Sequence, residues 1–138
     1  MSMDTTRADM LQAVLEGVAF AIRDSFEVAE SLGVSIERSC LCGGGAKSPL
    51  WQKILANVLN IELLLPQTEE GPGYGGAMLA MVGCGLFDTV ASCASALVSF
   101  KASVKPDPTI AACYELRYRQ FKEIYPAVKP LYKVIKEA

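Results

Sequence analysis

The sequence predicts an α/β fold that is mostly helical, with a small parallel sheet of about two strands covered by four to five helices. Three observations predict it. Residues 36–65 read as strand, glycine turn, helix and strand, which is one βαβ unit with a right-handed crossover. Elsewhere apolar residues recur at intervals of three and four, the period of amphipathic helices. The 138 residues are 51% apolar with a formal net charge of −2, so one domain can bury a core without disulfides or metal.

The elements follow in order. Thr6 and Asp9 form a capping box, and Leu11, Val14, Leu15, Val18, Ile22, Phe26 and Ala29 make one apolar stripe behind it. Gly33 is placed to end that helix as a left-handed cap. Residues 36–42 read as a strand, broken by the glycines at 43–45. Ser48 then supplies an N-cap, with Pro49 at the first helical position. The helix it opens carries Leu50, Trp51, Ile54, Leu55, Val58 and Leu59 on its apolar face, and Asn60 closes it. Residues 61–65 are nearly all apolar, which predicts a strand buried on both faces. A loop over 66–74 leads to a helix at about 75–86, and Asp88 is expected to cap a second helix over 88–100. Residues 101–107 read as a linker. The last helix has Ala111, Tyr114, Tyr118, Phe121 and Tyr125 at helical spacing, with Pro126 expected to stop it and one more helical turn at 131–135.

Composition excludes several functions. There is no histidine, which removes imidazole triads, zinc sites and proton shuttles. A pI of about 5.2 disfavours a nucleic-acid binder. Residues 1–100 hold 5 basic and 11 acidic groups, whereas 101–138 hold 8 and 4, so a basic last helix is expected to dock on an acidic body. Mean hydropathy is +0.29, high for a free domain. Its most apolar window, 76–100, has too short an unbroken run to span a membrane, and two packed helices are expected there. The five cysteines form no metal or disulfide pattern and read as buried free thiols, in keeping with a cytoplasmic location.

Two glycine clusters could carry chemistry. Gly43, Gly44, Gly45 and Ala46 lie between a strand end and a helix start, where the backbone can turn sharply and a ligand can reach the amides. The turn either binds such a ligand or merely reverses the chain. It is not a phosphate-binding loop of Walker type, since Ala46 rather than glycine precedes Lys47. The second cluster, Gly71 to Gly76, contains a formal G-x-G-x-x-G, but Pro72 interrupts it and no acidic residue follows at the required distance. The carboxylate pairs Asp9 and Glu16, Asp24 and Glu27, and Glu69 and Glu70 read as solvated faces, with no partner to make any of them a general base.

In this order the residues carry a resemblance. Asp9, Met10, Ala13 to Gly17, then Gly43 to Ser48 with Trp51, then Gly75, Gly76 and Ala77 resemble the C-terminal part of the FGGY-family carbohydrate kinases, nearest the xylulokinase-like group. Tyr114 to Pro130 resembles the family's C-terminal helix. The resemblance implies an incomplete actin-like (ribonuclease H-like) ATPase domain, with 1–138 a single domain forming the C-terminal portion of the second, nucleotide-binding kinase domain. It implies that Gly44, Gly45 and Ala46 contact the adenosine of ATP, with Lys47 and Ser48 alongside. Pro49 stands where some relatives have an asparagine. The complete enzyme would move the γ-phosphoryl of ATP, with Mg²⁺, to a pentulose such as xylulose, using an aspartate base.

That aspartate, the sugar site and the phosphate loops precede this region in the family. The chain is therefore expected to be a fragment, without catalytic residues and inactive alone. Helices shaped to cover a larger sheet would then expose apolar surface, which accounts for the hydropathy and allows a homodimer. Neither membrane nor nucleic acid is expected as a partner. The alternative is a non-catalytic α/β interaction module that self-associates through the same surface.

Overall fold

The computed structural model describes residues 2–68 and 71–136. Its elements are α1 (Arg7–Ser31), β1 (Arg38–Cys40), a 3₁₀ turn (Gly44–Lys47), α2 (Pro49–Leu59), β2 (Glu62–Pro66), α3 (Gly71–Gly83), α4 (Val90–Leu97), β3 (Phe100–Val104) and α5 (Pro108–Lys136). The predicted α/β class, mostly helical around a small sheet, is what forms. Among the described residues no helix is long and apolar enough to cross a membrane.

Local chemistry sets the first boundaries as expected. Thr6 Oγ1 accepts from the Asp9 amide at 3.2 Å, and the Asp9 carboxylate accepts from the Thr6 amide at 2.8 Å. The hydrogen bonds from the Thr6 side chain and backbone hold the Asp9 carboxyl below its ordinary range. Gly33 follows α1 with φ +85°, and Asn60 ends α2 in the left-handed region at φ 53°. Ser48 caps α2 through its hydroxyl, 3.3 Å from the Trp51 amide, with Pro49 at the first helical position.

The sheet departs from expectation in one respect. β1 and β2 pair in parallel as predicted, Ser39 opposite Leu63, but a third strand joins antiparallel to β2, Leu64 opposite Ser103. The expected linker at 101–107 is therefore mostly strand, and the helix before it is shorter, with Thr89 rather than Asp88 at its cap. Val98, Phe100, Ala102 and Val104 alternate with Ser99, Lys101 and Ser103, a strand period that a helical reading of the window overlooks. β2 is not buried on both faces: Leu63 and Leu65 are buried, while Glu62, Leu64 and Pro66 are half-buried. One face of the strand meets the helices and the other is only partly covered.

Two helices also run further than their prolines suggest. α3 starts at Gly71, because Pro72 sits in the first turn, where its missing N–H would have no partner anyway. α5 continues through Pro126 and Pro130 to Lys136. The hydrogen bonds lost there fall on an exposed stretch, where the freed carbonyls are open to solvent.

α2 lies on the sheet, and α1 and α5 cross over α2. Phe20, Ile54, Leu55, Val58, Leu63 and Tyr118 form the centre of the core. Only half of the predicted α1 stripe enters it. Leu15, Ile22 and Phe26 pack on the core, whereas Leu11, Val14 and Val18 are exposed. Of the cysteines, only Cys93 is buried; Cys40, Cys42, Cys84 and Cys113 are exposed, contrary to the expectation for all five.

The α1 carboxylates are not a solvated face. Tyr118, fully buried, donates its hydroxyl proton to Asp24 Oδ1 at 2.6 Å, and Tyr114 donates to Glu16 Oε1 at 2.9 Å. Arg117 bonds both oxygens of Glu16 at 3.2 Å, and Lys122 reaches Glu27 at 3.1 Å. The basic last helix thus docks on acidic α1, as the charge asymmetry predicts. Arg23 completes the joint. Its guanidinium lies 4.1 Å from the centre of the Tyr118 ring, donates to the Val58 carbonyl at 3.1 Å, and pairs with Glu115. The hydrogen bond from Arg23 holds the Glu115 carboxyl below its usual range.

Two outcomes follow for stability. Arg23→Lys keeps the charge but not the planar fork, and is expected to cost about 1–2 kcal/mol in urea unfolding. Burial, reinforced by the bond to Glu16, pushes the Tyr114 hydroxyl from 10.0 up to about 12, and Tyr118 is raised by burial and by Asp24. Between the unfolded and folded values the unfolded chain has lost these protons and the native chain has kept them. Stability is therefore present in full below pH about 10 and falls as pH rises beyond it, which urea titration at stepped alkaline pH will measure.

Candidate functional site

The first glycine cluster forms at the carboxyl end of β1. Pairing runs one residue past the strand, the Leu41 amide donating to the Leu64 carbonyl at 2.9 Å, and Cys42 then leads into the turn. Gly43 has φ 84° and ψ −179°, a region open essentially to glycine alone, and this swings the chain off the sheet. The 3₁₀ turn closes by bonds from the Ala46 amide to the Gly43 carbonyl and from the Ser48 amide to the Gly45 carbonyl, both 3.1 Å. Gln52 reaches back from α2 to the Ala46 carbonyl at 2.6 Å.

Gly45 answers a different constraint. A Cβ there would sit 3.1 Å from Trp51 Cδ1 and 3.2 Å from its Nε1, so the bare glycine lets the indole lie over the turn. A Cβ on Gly44 would meet no atom within 4 Å, so that side of the turn faces open space. The five predicted residues Gly44, Gly45, Ala46, Lys47 and Ser48 are thus gathered into a single turn. They do not all face one hollow. Ser48 is engaged as the helix cap, and of the five only Ala46 and Lys47 line the adjoining pocket.

That pocket, a small cleft of about 20 Å³, lies outside the carboxyl ends of β1 and β2, between Leu41, Gly43, Leu65 and Pro66. Such crevices are where open α/β sheets receive ligands. Lys47 stands on the turn and Lys101 on β3, and both line it. Lys101 is the site residue that sequence reading missed. It reaches the pocket because antiparallel pairing sets Pro66 opposite Phe100 and Leu65 opposite Ala102. The alternation in residues 98–104 was the signal that could have found it.

A larger hollow of about 300 Å³ opens beside the first, between the turn and the start of α3, and includes Cys40, Cys42, Thr68, Tyr74 and Ser99. Tyr74 is fixed by its hydroxyl, which donates to the Leu97 carbonyl at 2.8 Å. The glycines from Gly71 to Gly76 lie inside α3 and form no dinucleotide-binding turn.

The carboxylates offer no second centre. Glu16, Asp24 and Glu27 are engaged by α5, and Asp9 by its own cap. The pair Glu69 and Glu70 lies outside the described residues. Among the described residues no group of three or more Cys, Asp or Glu could hold a metal ion. What the turn can do chemically is present backbone groups to a polar ligand, with Lys47 and Lys101 nearby.

Comparison with known proteins shows the family. Residues 1–84 match the FGGY family of carbohydrate kinases, C-terminal domain. A xylulose kinase of Lactococcus lactis is 39% identical over 116 residues, which is 83% of this chain and 23% of that protein. One from Staphylococcus epidermidis is 33% identical over 91% of this chain and 25% of its own length. The crystal structure of xylulose kinase from Rhodospirillum rubrum superposes with a TM-score of 0.82 at 32% identity, covering 96% of this chain and 27% of that one. The chain therefore spans about a quarter of the length of these relatives. With a glycine turn at the strand ends and this likeness in sequence and fold, the chain belongs to the FGGY family of carbohydrate kinases, in the region of its C-terminal domain.

Proposed function

We propose that this chain is the adenosine-binding portion of an ATP-dependent sugar kinase that acts on a pentulose such as xylulose. The glycine turn at the carboxyl end of β1 carries the reading, with its open side at Gly44 and with Lys47 and Lys101 beside it. Gly44, Gly45 and Ala46 hold the adenosine by backbone contact, Lys47 and Lys101 favour the nucleotide's negative charge, and Ser48 keeps the turn in place by capping α2. When bound, ATP with its Mg²⁺ supplies the phosphoryl group that is moved to a sugar hydroxyl. The relatives compared above, each a xylulose kinase, support the substrate class. In this proposal residues 1–138 form one domain of a cytoplasmic enzyme, and the chain alone does not phosphorylate xylulose.

A second reading, an interaction module, is favoured by one observation. Met10, Leu11, Val14 and Val18 form an exposed apolar strip on α1, with Val14 64% accessible. A homodimer joined there without nucleotide affinity would support it over the first.

The first reading is checked through Trp51, the single tryptophan of the chain, which lies against Gly45. ADP is expected to change Trp51 emission and to shift the amide resonances of Gly44, Gly45 and Ala46. Gly45→Val displaces the indole and should abolish the response. Lys101→Ala should weaken ADP binding about 2–5-fold, the worth of one partly exposed charge contact. Unmoved amides at saturating ADP would refute the assignment, and xylulose turnover by the pure chain would refute its inactivity.

A further inference from the structure

We propose that Gln52 is a positioning residue for the nucleotide: its side-chain amide replaces a backbone donor that Pro49 cannot supply, and so keeps the glycine turn in the conformation that receives the adenosine. The hold on the turn stands on hydrogen bonds within the chain, and its consequence for nucleotide rests on the reading above.

The turn is built from bonds that reach three residues back. The Ala46 amide donates to the Gly43 carbonyl and the Ser48 amide to the Gly45 carbonyl. The step for the Ala46 carbonyl would take its donor from residue 49, which is proline and has no N–H. Proline also turns the residue before it away from helical backbone, and Ser48 is extended, with φ −88° and ψ 113°. The turn therefore stops at Lys47, and its own ladder leaves the half-buried Ala46 carbonyl without a donor.

Gln52 meets that need from the helix side. Its Nε2 donates to the Ala46 carbonyl at 2.6 Å, and because a carbonyl only accepts, the nitrogen end of the side chain must face it. Gln52 is itself held in place. Its backbone amide donates to the Ser48 carbonyl at 3.0 Å, and α2 is buried from Ile54 onwards. The residue before it, Trp51, lies against Gly45. Two consecutive side chains of α2 thus bear on two consecutive residues of the turn.

The hold matters because glycines at 43–45 leave this backbone more conformations than any other residues would. The peptide unit is planar, so fixing the Ala46 oxygen orients the whole peptide between Ala46 and Lys47. That limits how far Gly44 and Gly45 can rotate ahead of it. Gln52 is not among the residues that line the turn pocket, so it acts through the turn rather than on the ligand.

The test uses the full chain, with ADP as the probe, and two substitutions by good helix formers of similar length. Gln52→Met is neutral and has no donor, whereas Gln52→Glu can donate only when its carboxyl is protonated. Without ADP and at neutral pH, both are expected to shift the Ala46 carbonyl resonance and to speed hydrogen exchange at the Gly44 and Gly45 amides. ADP affinity should fall about 3–10-fold in both, the worth of one intramolecular hydrogen bond. In Gln52→Glu alone, acidification to about pH 4, near the ordinary glutamate value, should bring resonance and affinity back towards those of the unsubstituted chain at the same pH. Lys47 and Lys53 are the charged residues of the turn and of α2, and neither is an acid, so that recovery would belong to residue 52. A side chain that merely fills space would not give it. An unmoved Ala46 carbonyl resonance in Gln52→Met would overturn the proposal, as would unchanged ADP affinity or a loss in Gln52→Glu that acid does not relieve. If the unsubstituted chain does not respond to ADP at all, the nucleotide reading falls, and the hold on the turn stands or falls on the ADP-free resonances and their recovery in acid.

Discussion

The joint between α1 and α5 rests on Arg23 and Tyr118. Tyr118 is fully buried, yet its hydroxyl needs a partner, and Asp24 supplies one at 2.6 Å. Arg23 lies over the same ring and ties α1 to the end of α2 through the Val58 carbonyl and to α5 through Glu115. One cation therefore joins three helices. Without it the Val58 carbonyl would lose this donor and Glu115 would be left with its pair to Arg119, in a part-buried setting where unsatisfied groups are costly. The sheet depends on this arrangement, because α2 is held down on it from above by α1 and α5.

The candidate site inherits its rigidity from that packing. α2 is buried from Ile54 to Val58, which fixes its axis on the sheet and hence the position of its first turn. Ser48, Trp51 and Gln52 project from that first turn and hold the glycine turn from the helix side. On the sheet side, β2 is the central strand and positions both neighbours. Its parallel pairing with β1 sets where the turn begins, and its antiparallel pairing with β3 brings Lys101 to the pocket. Asn57, a buried polar residue of α2, accepts from the Asp107 amide at 2.7 Å, and Asp107 in turn caps α5 through the Thr109 amide at 2.8 Å. The same helix that carries the site thus also fixes the start of α5.

Much of this was legible in the sequence where the governing interaction is local. The capping box of Thr6 and Asp9, the Ser48–Pro49 start, the left-handed Asn60 and the glycine break after the strand each depend on neighbours within a few residues. Gly44 to Ser48 could be picked out for the same reason, since a strand-to-helix turn is written in its own residues. Misreadings arose where distant packing decides. Phe100 to Val104 sits beside an apolar helical window, and only the free edge of β2 makes it a strand. Pro126 was expected to end α5, but the helix extends where water can satisfy the broken ladder. The carboxylates of α1 read as solvated because nothing in α1 announces the tyrosines that approach from more than 90 residues away.

By itself, then, the sequence determined the starts and stops of α1 and α2, the βαβ unit, the docking of a basic last helix on an acidic body, and the family likeness carried by the glycine turn. These follow from backbone sterics, capping and periodicity, which act over one or two turns of chain. Only the tertiary structure decided which half of the α1 stripe enters the core, which cysteines face solvent, that a third strand completes the sheet, and that Lys101 joins Lys47 at the pocket. Each of those depends on which surfaces meet across long stretches of chain, and a residue's burial or partnership is a property of that meeting rather than of the residue.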